Sequence, residues 1–248
     1  MDEILKGFGS ATFGEIYAEA YDVEHDPGTT EEAVELLAGI AGTGSTLELA
    51  IGTGRVALPL ARRGLKVHGI DGSPAMVAKL REKPGGEAIP VSVGDFADVD
   101  IEGSFDFVFL IFNTLFNLTS QQEQVRCFEN VAKRLNSGGQ FLVETLVPDV
   151  TRFDDGQSLR TLHVDMNSAV LEAAVHDPVQ QVVEYQRVRM TDDGMRLSPL
   201  PIRYAWPAEI DLMARVAGMT LQHRWGGWDR SPFTAASKMH VSVYRKIA

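Results

Sequence analysis

A chain of 248 residues, 44% hydrophobic and 23% charged, carries enough apolar material for a full core, arranged as one elaborated domain or two. With 34 acidic against 23 basic residues its formal charge is -11, which opposes a nucleic-acid or anionic-membrane partner. The single cysteine, Cys127, excludes an internal disulfide and a multi-cysteine metal site, and no metal is expected.

The stretch Met1-Asp-Glu-Ile-Leu-Lys6 lacks the basic start and apolar core of a signal peptide, and no later run reaches membrane-spanning length; a cytoplasmic protein is expected. Residues 13–21 predict a short aromatic helix or lid, in which Tyr17 and Tyr21 share a face. Thr29 with Glu32 matches a capping box ahead of Ala33, Leu36, Leu37 and Ile40 at helical spacing. Thr46 to Leu49 reads as a first strand interrupted by Glu48, with Gly52 and Gly54 making a tight turn into a helix that ends near Gly64. Lys66 to Asp71 is a second strand ending in an acid, and Ser73-Pro74 starts the next helix with a cap followed by proline. A third strand, Ile89 to Val93, runs into Gly94-Asp95-Phe96. Phe105 to Phe112 is nearly all apolar, as a strand covered on both faces should be. Ser120 with Glu123 caps a helix that closes at Asn136-Ser-Gly-Gly139, and Gln140 to Leu146 is a fifth strand.

This alternation predicts a parallel sheet wrapped by helices, with ligands at the carboxyl ends of its strands. The rhythm then changes. Residues 160–204 hold segments rich in Val, Tyr and Leu, divided by His176-Asp-Pro178 and Asp192-Asp-Gly194, which predict antiparallel pairing, with Pro199 and Pro201 marking an edge. Pro207 opens a helix through Ala217, and two strands near Met219 to Gly226 and Met239 to Lys246 finish the chain. The expected organisation is a helical lid over 1–44, a core over 45–149 and 205–248, and an antiparallel insert over 150–204.

The acids discriminate between cofactors. Gly52, Gly54 and Ala57 satisfy a loose G-x-G-x-x-Ala form with Asp71 after the second strand, which leaves a dinucleotide oxidoreductase open. Glu48 inside the first strand and Gly94-Asp95-Phe96 after the third point instead to S-adenosylmethionine.

Through Glu48-Leu-Ala-Ile-Gly-Thr-Gly54, Ile70-Asp71, Gly94-Asp95-Phe96 and Phe105-Asp-Phe-Val108, the chain resembles the class I S-adenosylmethionine-dependent methyltransferases over residues 45–146. That resemblance implies an α/β, Rossmann-like, mostly parallel seven-stranded sheet with helices on both faces and an antiparallel last strand. It also implies methyl transfer from S-adenosyl-L-methionine, releasing S-adenosyl-L-homocysteine. By position, Gly52 and Gly54 would admit the methionine part of the cofactor, Asp71 would accept both ribose hydroxyls, and Asp95 would accept from the adenine amino group while Phe96 offers its N–H. Glu48 would hold the turn or reach the ammonium indirectly. Tyr17, Tyr21 and Phe112 are counted with these cofactor residues. Ala50 stands where many members have a glycine, which argues against a left-handed turn there. Gly72 replaces a bulky adenine-packing residue, a role left to Met76 or Phe96.

Inserts after the fifth strand occur in methyltransferases of small molecules, including amino-sugar and glycine N-methyltransferases, and the resemblance is to bacterial small-molecule enzymes of this kind. The substrate wall is expected from the loop holding Asn113 and Asn117, from the insert with Tyr204, from the lid, and from Arg230 in Trp225-Gly-Gly-Trp-Asp-Arg-Ser231. That last segment reads equally as a hairpin held by its tryptophans. Candidate bases are His163 and Glu144, then His223. The acceptor atom is open among N, O and C. A nucleic-acid or protein methyltransferase and a non-catalytic cofactor-binding protein remain as alternatives. A homo-oligomer is compatible with the sequence, which does not fix the oligomeric state.

Overall fold

The computed structural model describes residues 7–247 apart from Ser10 and Asp26, so the Met1 to Lys6 stretch lies outside the described residues. Strands β1 (Ser45–Leu49), β2 (Lys66–Asp71), β3 (Val91–Val93), β4 (Phe105–Leu110) and β5 (Leu135–Leu146) run parallel. They join β10 (Met219–Trp225) and β11 (Met239–Lys246) in one seven-stranded sheet of order β10-β11-β5-β4-β1-β2-β3, with β11 antiparallel to both neighbours. The antiparallel strands β6 (Gln157–Val164), β7 (Ser168–Asp177), β8 (Val182–Thr191) and β9 (Gly194–Arg203) form a second sheet in chain order.

Side-chain alternation explains why the main sheet is covered on both faces. Leu47 and Leu49 of β1, Val108 and Leu110 of β4, and Phe141 and Val143 of β5 belong to one buried cluster. Phe107, Phe109 and Leu142 point the other way into a second cluster. The first cluster is closed by α6 (Gln121–Arg134) and α7 (Pro207–Val216), the second by α3 (Thr30–Ala41) and α4 (Ala57–Arg62). Strand β1 lies between β2 and β4, so the chain reverses its direction of travel across the sheet there. The crevice at that reversal is where ligands enter such sheets.

The insert is fastened to the core by a buried cation. Arg203, at the end of β9, donates to Gln124 of α6 at 2.6 Å and to Glu209 of α7 at 2.7 Å. Its turns follow the sequence signals: Thr191 pairs with Gly194 around Asp192-Asp193, and β9 with its two prolines is an edge strand.

Some local expectations are corrected. The aromatic segment is two helices, α1 (Thr12–Tyr17) and α2 (Tyr21–Glu24), so Tyr17 and Tyr21 do not share a face of one helix. Gly14 lets α1 lie directly on the start of α5 (Pro74–Arg81); a Cβ there would come 2.1 Å from Ser73 Oγ. Thr29 makes no side-chain cap, because at φ -122° and ψ 21° it is not in the extended conformation that aims a cap oxygen at the helix start. The Ser120–Glu123 capping box forms as expected. Helix α6 ends at Arg134, and Leu135 already pairs with Phe105; residues 136–139 then bulge before pairing resumes at Gln140.

Gly54 matters for packing. At φ +77°, a Cβ on it would come 2.2 Å from Cδ1 of Leu80, a fully buried side chain. Gly54→Ala is expected to lower unfolding free energy in urea by about 2 kcal/mol or more, from strain and overpacking together. An unchanged midpoint would show that α5 gives way there.

Candidate active site

Beneath the sheet's switch point lies a cavity of about 350 Å³. Asp71, buried at the end of β2, forms part of its wall; its two carboxylate oxygens accept the backbone N–H groups of Gly52 (2.7 Å) and Ser73 (2.8 Å). Burial raises its pKa, and these two N–H bonds oppose the rise. Each oxygen keeps a second lone pair for a ligand. Gly52, at φ +56°, would bring a Cβ within 3.9 Å of only the Ala50 carbonyl oxygen, which leaves room for close approach of a ligand to that turn. Gly72, Met76, Asp95 and Phe96 line the same cavity. Asp95 accepts the Ala97 N–H at 2.8 Å, which fixes its carboxylate at the end of β3.

Ala50 also lines the cavity, but its backbone corrects the sequence expectation. It adopts φ +52°, the left-handed region, where a Cβ costs about 1 kcal/mol. The turn imposes the conformation: Ile51 N–H bonds to Ile70 carbonyl at 3.0 Å and Gly52 N–H to Asp71, which leaves Ala50 to reverse the chain.

A second strained pair follows β4. Phe112 and Asn113 have φ of +61° and +60°, and both line the cavity with Asn117. Glu144 on β5 accepts the N–H of Phe112 and of Asn113 from behind. It does not reach the cavity, so the expected base is a buried brace. Burial pushes its pKa up to about 7.

Glu48 lies under the turn rather than in the cavity. It accepts the Ala57 N–H, its Oε2 is buried without a partner, and it borders a small void shared with Arg55 and Tyr21. Burial raises its pKa to about 8, against the pull of Arg55.

Of the lid tyrosines only Tyr21 faces the cavity, where burial raises its pKa to about 12. Tyr17 is buried against the insert, donating to Ser198 carbonyl at 3.2 Å. Gly54 serves helix packing instead of lining the cavity. His163 is exposed on β6 with Asp165 at 2.7 Å; the bulge after Thr161 pairs it with Val170 on the same face as Glu172, but it lies at the far end of an edge strand, beside the turn into β7. Tyr204 pairs with His176 at 3.0 Å. Arg230 sits over Trp225, 5.7 Å from the ring centre, in a hairpin pinned by the Trp225–Pro232 bridge. His223 is exposed and stacked on Trp225. None of these four lines the cavity.

Several lining residues were not anticipated. The insert contributes Arg152, Arg160, Glu172, Tyr185, Arg187, Leu200 and Ile202, and the lid contributes Phe13 and His25. Arg160, Glu172 and Arg187 lie on one rung across β6, β7 and β8, with Arg160–Glu172 at 2.7 Å and Arg187–Glu172 at 3.2 Å. Sequence alternation offered a hint at Tyr185 and Arg187, two apart on one strand, but the cross-strand rung depends on register. His25 stacks on Tyr21 with ring centres 5.0 Å apart, and its pKa is lowered by burial and then by Arg187.

Glu48 supplies a pH test. A carboxyl whose folded pKa lies above its unfolded one contributes most below the unfolded value, and that contribution is lost as pH rises toward the folded one. Stability is therefore expected to fall between pH 5 and pH 8, and Glu48→Gln to remove part of that fall. Relative to wild type, the variant should gain at least about 2 kcal/mol across this window in urea unfolding. A constant difference would mean that Glu48 is ionised throughout.

Residues 46–139 match the family described as a methyltransferase domain. Over its length the chain is similar to the CcbJ methyltransferase from Streptomyces caelestis, with 39% identity, 97% of this chain and 100% of that one covered, and a TM-score of 0.91. It is 26% identical over 206 residues to the cypemycin N-terminal methyltransferase of a Streptomyces species, covering 82% of this chain and 83% of that protein. The sugar N-methyltransferase KedS8 from Streptoalloteichus sp ATCC 53650 shares the fold at 18% identity, with a TM-score of 0.66 over 94% of this chain and 92% of that one. With the strand order and the acid-and-glycine turns in place, the chain belongs to the class I S-adenosylmethionine-dependent methyltransferases.

Proposed function

We propose that this methyltransferase acts on a small-molecule acceptor, transferring a methyl group to nitrogen, oxygen or carbon by in-line displacement. The observation that carries the reading is the make-up of a single cavity. The residues with cofactor chemistry (Gly52, Asp71, Asp95) form one wall, and the insert and lid form the others. In this reading 45–149 and 205–248 bind the cofactor, 150–204 supplies the substrate side, and 1–44 covers both.

The residues present fit S-adenosylmethionine. The free lone pairs of Asp71 suit a ribose diol, Met76 and Phe96 give apolar surface for adenine, and Asp95 offers an acceptor nearby. When bound, the cofactor supplies a methyl group already activated on a sulfonium. The protein's part is then to hold the acceptor close and aligned, and to keep water out. Phe13, Tyr21, Phe112 and Leu200 provide the apolar enclosure, and the braced Phe112–Asn113 turn provides a fixed edge against which an acceptor is placed. The names of the relatives, an N-terminal methyltransferase and a sugar N-methyltransferase, favour nitrogen as the acceptor atom. An amine in its neutral form asks least of the chain, because it attacks through its own lone pair. No helix among the described residues is long and apolar enough to cross a membrane, in keeping with a cytoplasmic small-molecule enzyme.

Calorimetric titration with S-adenosylmethionine, S-adenosylhomocysteine and NAD tests the cofactor side. The first two are expected to bind near micromolar, about -8 kcal/mol, and Asp71→Ala to weaken both at least about tenfold. Binding of NAD alone, or full affinity in Asp71→Ala, would overturn the assignment.

A further inference from the structure

The cavity wall supplied by the insert carries a charge that the rest of the chain does not suggest. The protein is acidic, yet Arg152, Arg160 and Arg187 all line this wall, and Glu172 is the one carboxylate within ion-pairing distance of any of them among the described residues. Glu172 is 4% exposed and is shared between Arg160 and Arg187. Among the described residues Arg152 therefore has no ion-pair partner, and the Glu172 and Asp149 carboxylates act on it only from a distance.

Its surroundings hold the guanidinium in place without neutralising it. The rings of Phe153 and Tyr185 lie 5.0 and 5.2 Å from its Cζ, and one terminal nitrogen donates to the Tyr185 hydroxyl. Nε is buried with no partner, and Nη1 has no hydrogen-bond partner among the described residues. A partly buried cation with unused donors is costly unless an anion completes it. The guanidinium fork matches the two oxygens of a carboxylate or a phosphate.

We propose that Arg152, flanked by Arg160 and Arg187, receives an anionic group, a carboxylate or a phosphate, carried by the methyl acceptor. This rests on the reading of the cavity as the site of methyl transfer. The anion anchors the end of the acceptor away from the reacting atom, so a neutral analogue loses its hold on the insert wall while the cofactor side is untouched.

The full-length protein is titrated with succinate, inorganic phosphate and succinamide at constant ionic strength, with and without saturating S-adenosylhomocysteine, and binding is read by calorimetry. Succinate or phosphate is expected to bind and succinamide not to. Preference for succinate assigns a carboxylate, and preference for phosphate a phosphate ester. Arg152→Gln should weaken the anion at least about tenfold, the loss of one charge-assisted contact, and Arg152→Lys should restore part of it. Both variants should keep wild-type affinity for S-adenosylhomocysteine, which also reports that they are folded; if Arg152→Gln does not fold, Arg160→Gln takes its place. Anion binding no stronger than that of succinamide, or unchanged in a folded Arg152→Gln, would overturn the proposal. Absence of S-adenosylhomocysteine binding in the wild type would count against the cofactor assignment, while the titrations without it still decide the arginine site.

Discussion

Each oxygen of the Asp71 carboxylate is held by a different backbone N–H: Gly52 from the turn after β1 and Ser73 from the start of α5. Two adjacent strand ends are thereby fixed to one another through a single side chain, and the ligand side of the sheet is built around that joint. The same tie forces Ala50 into the left-handed region and sets Gly52 open toward the cavity. Removing the carboxylate would leave two backbone donors without partners, so the structural role of Asp71 is shown by its bonds, and the proposed ribose contact would fall on the same side chain.

The opposite side of the crevice is organised by an equivalent device. Glu144 braces Phe112 and Asn113, two consecutive residues with positive φ, from the next strand. Buried acids under both turns carry raised pKa values, about 8 for Glu48 and about 7 for Glu144, because the core desolvates them more than their partners compensate. Lid and insert then close over this frame and are fastened to each other: Arg189 pairs with Glu24 at 2.9 Å, and Tyr17 donates to the backbone of β9. The lid is also tied to the glycine turn, since Thr53 donates to Asp22 at 2.6 Å. Movement of the lid is thus coupled by direct bonds to both walls of the cavity.

How much of this was legible depended on whether the signal was local. The strand Thr46 to Leu49 with its acid, the Ser120–Glu123 box and the Asp192-Asp-Gly194 hairpin are written in neighbouring residues, and each forms where expected. That Gly52, Asp71 and Asp95 line the cavity was readable for the same reason, since each lies at or just past a strand end. The side supplied by the insert was not. His163 and Arg187 stand on the same face of the insert, His163 only because of the bulge after Thr161, and their places in the sheet separate them: His163 ends an edge strand, whereas Arg187 lies on an inner strand over the cavity. Glu144 lies near the end of β5 and was read from the sequence as a candidate base. Its task as a brace could not be read, because one of the backbone donors it serves, Phe112, is 32 residues away and the other, Asn113, is next to Phe112, and both become donors to it only through their unusual φ. Ala50 failed as an inference because propensity is a local preference, and the bonds on either side of it outweigh about 1 kcal/mol.

In the proposed function one cavity holds the cofactor against Asp71 and presents its sulfur toward the insert and lid. A crystal structure with S-adenosylhomocysteine bound tests it most directly. The expected result is ribose hydroxyls on Asp71, adenine between Met76 and Phe96 near Asp95, and the sulfur open toward Tyr185 and the arginines of the insert. A ribose bound away from Asp71, or a sulfur facing closed core with no path to the insert, would contradict it.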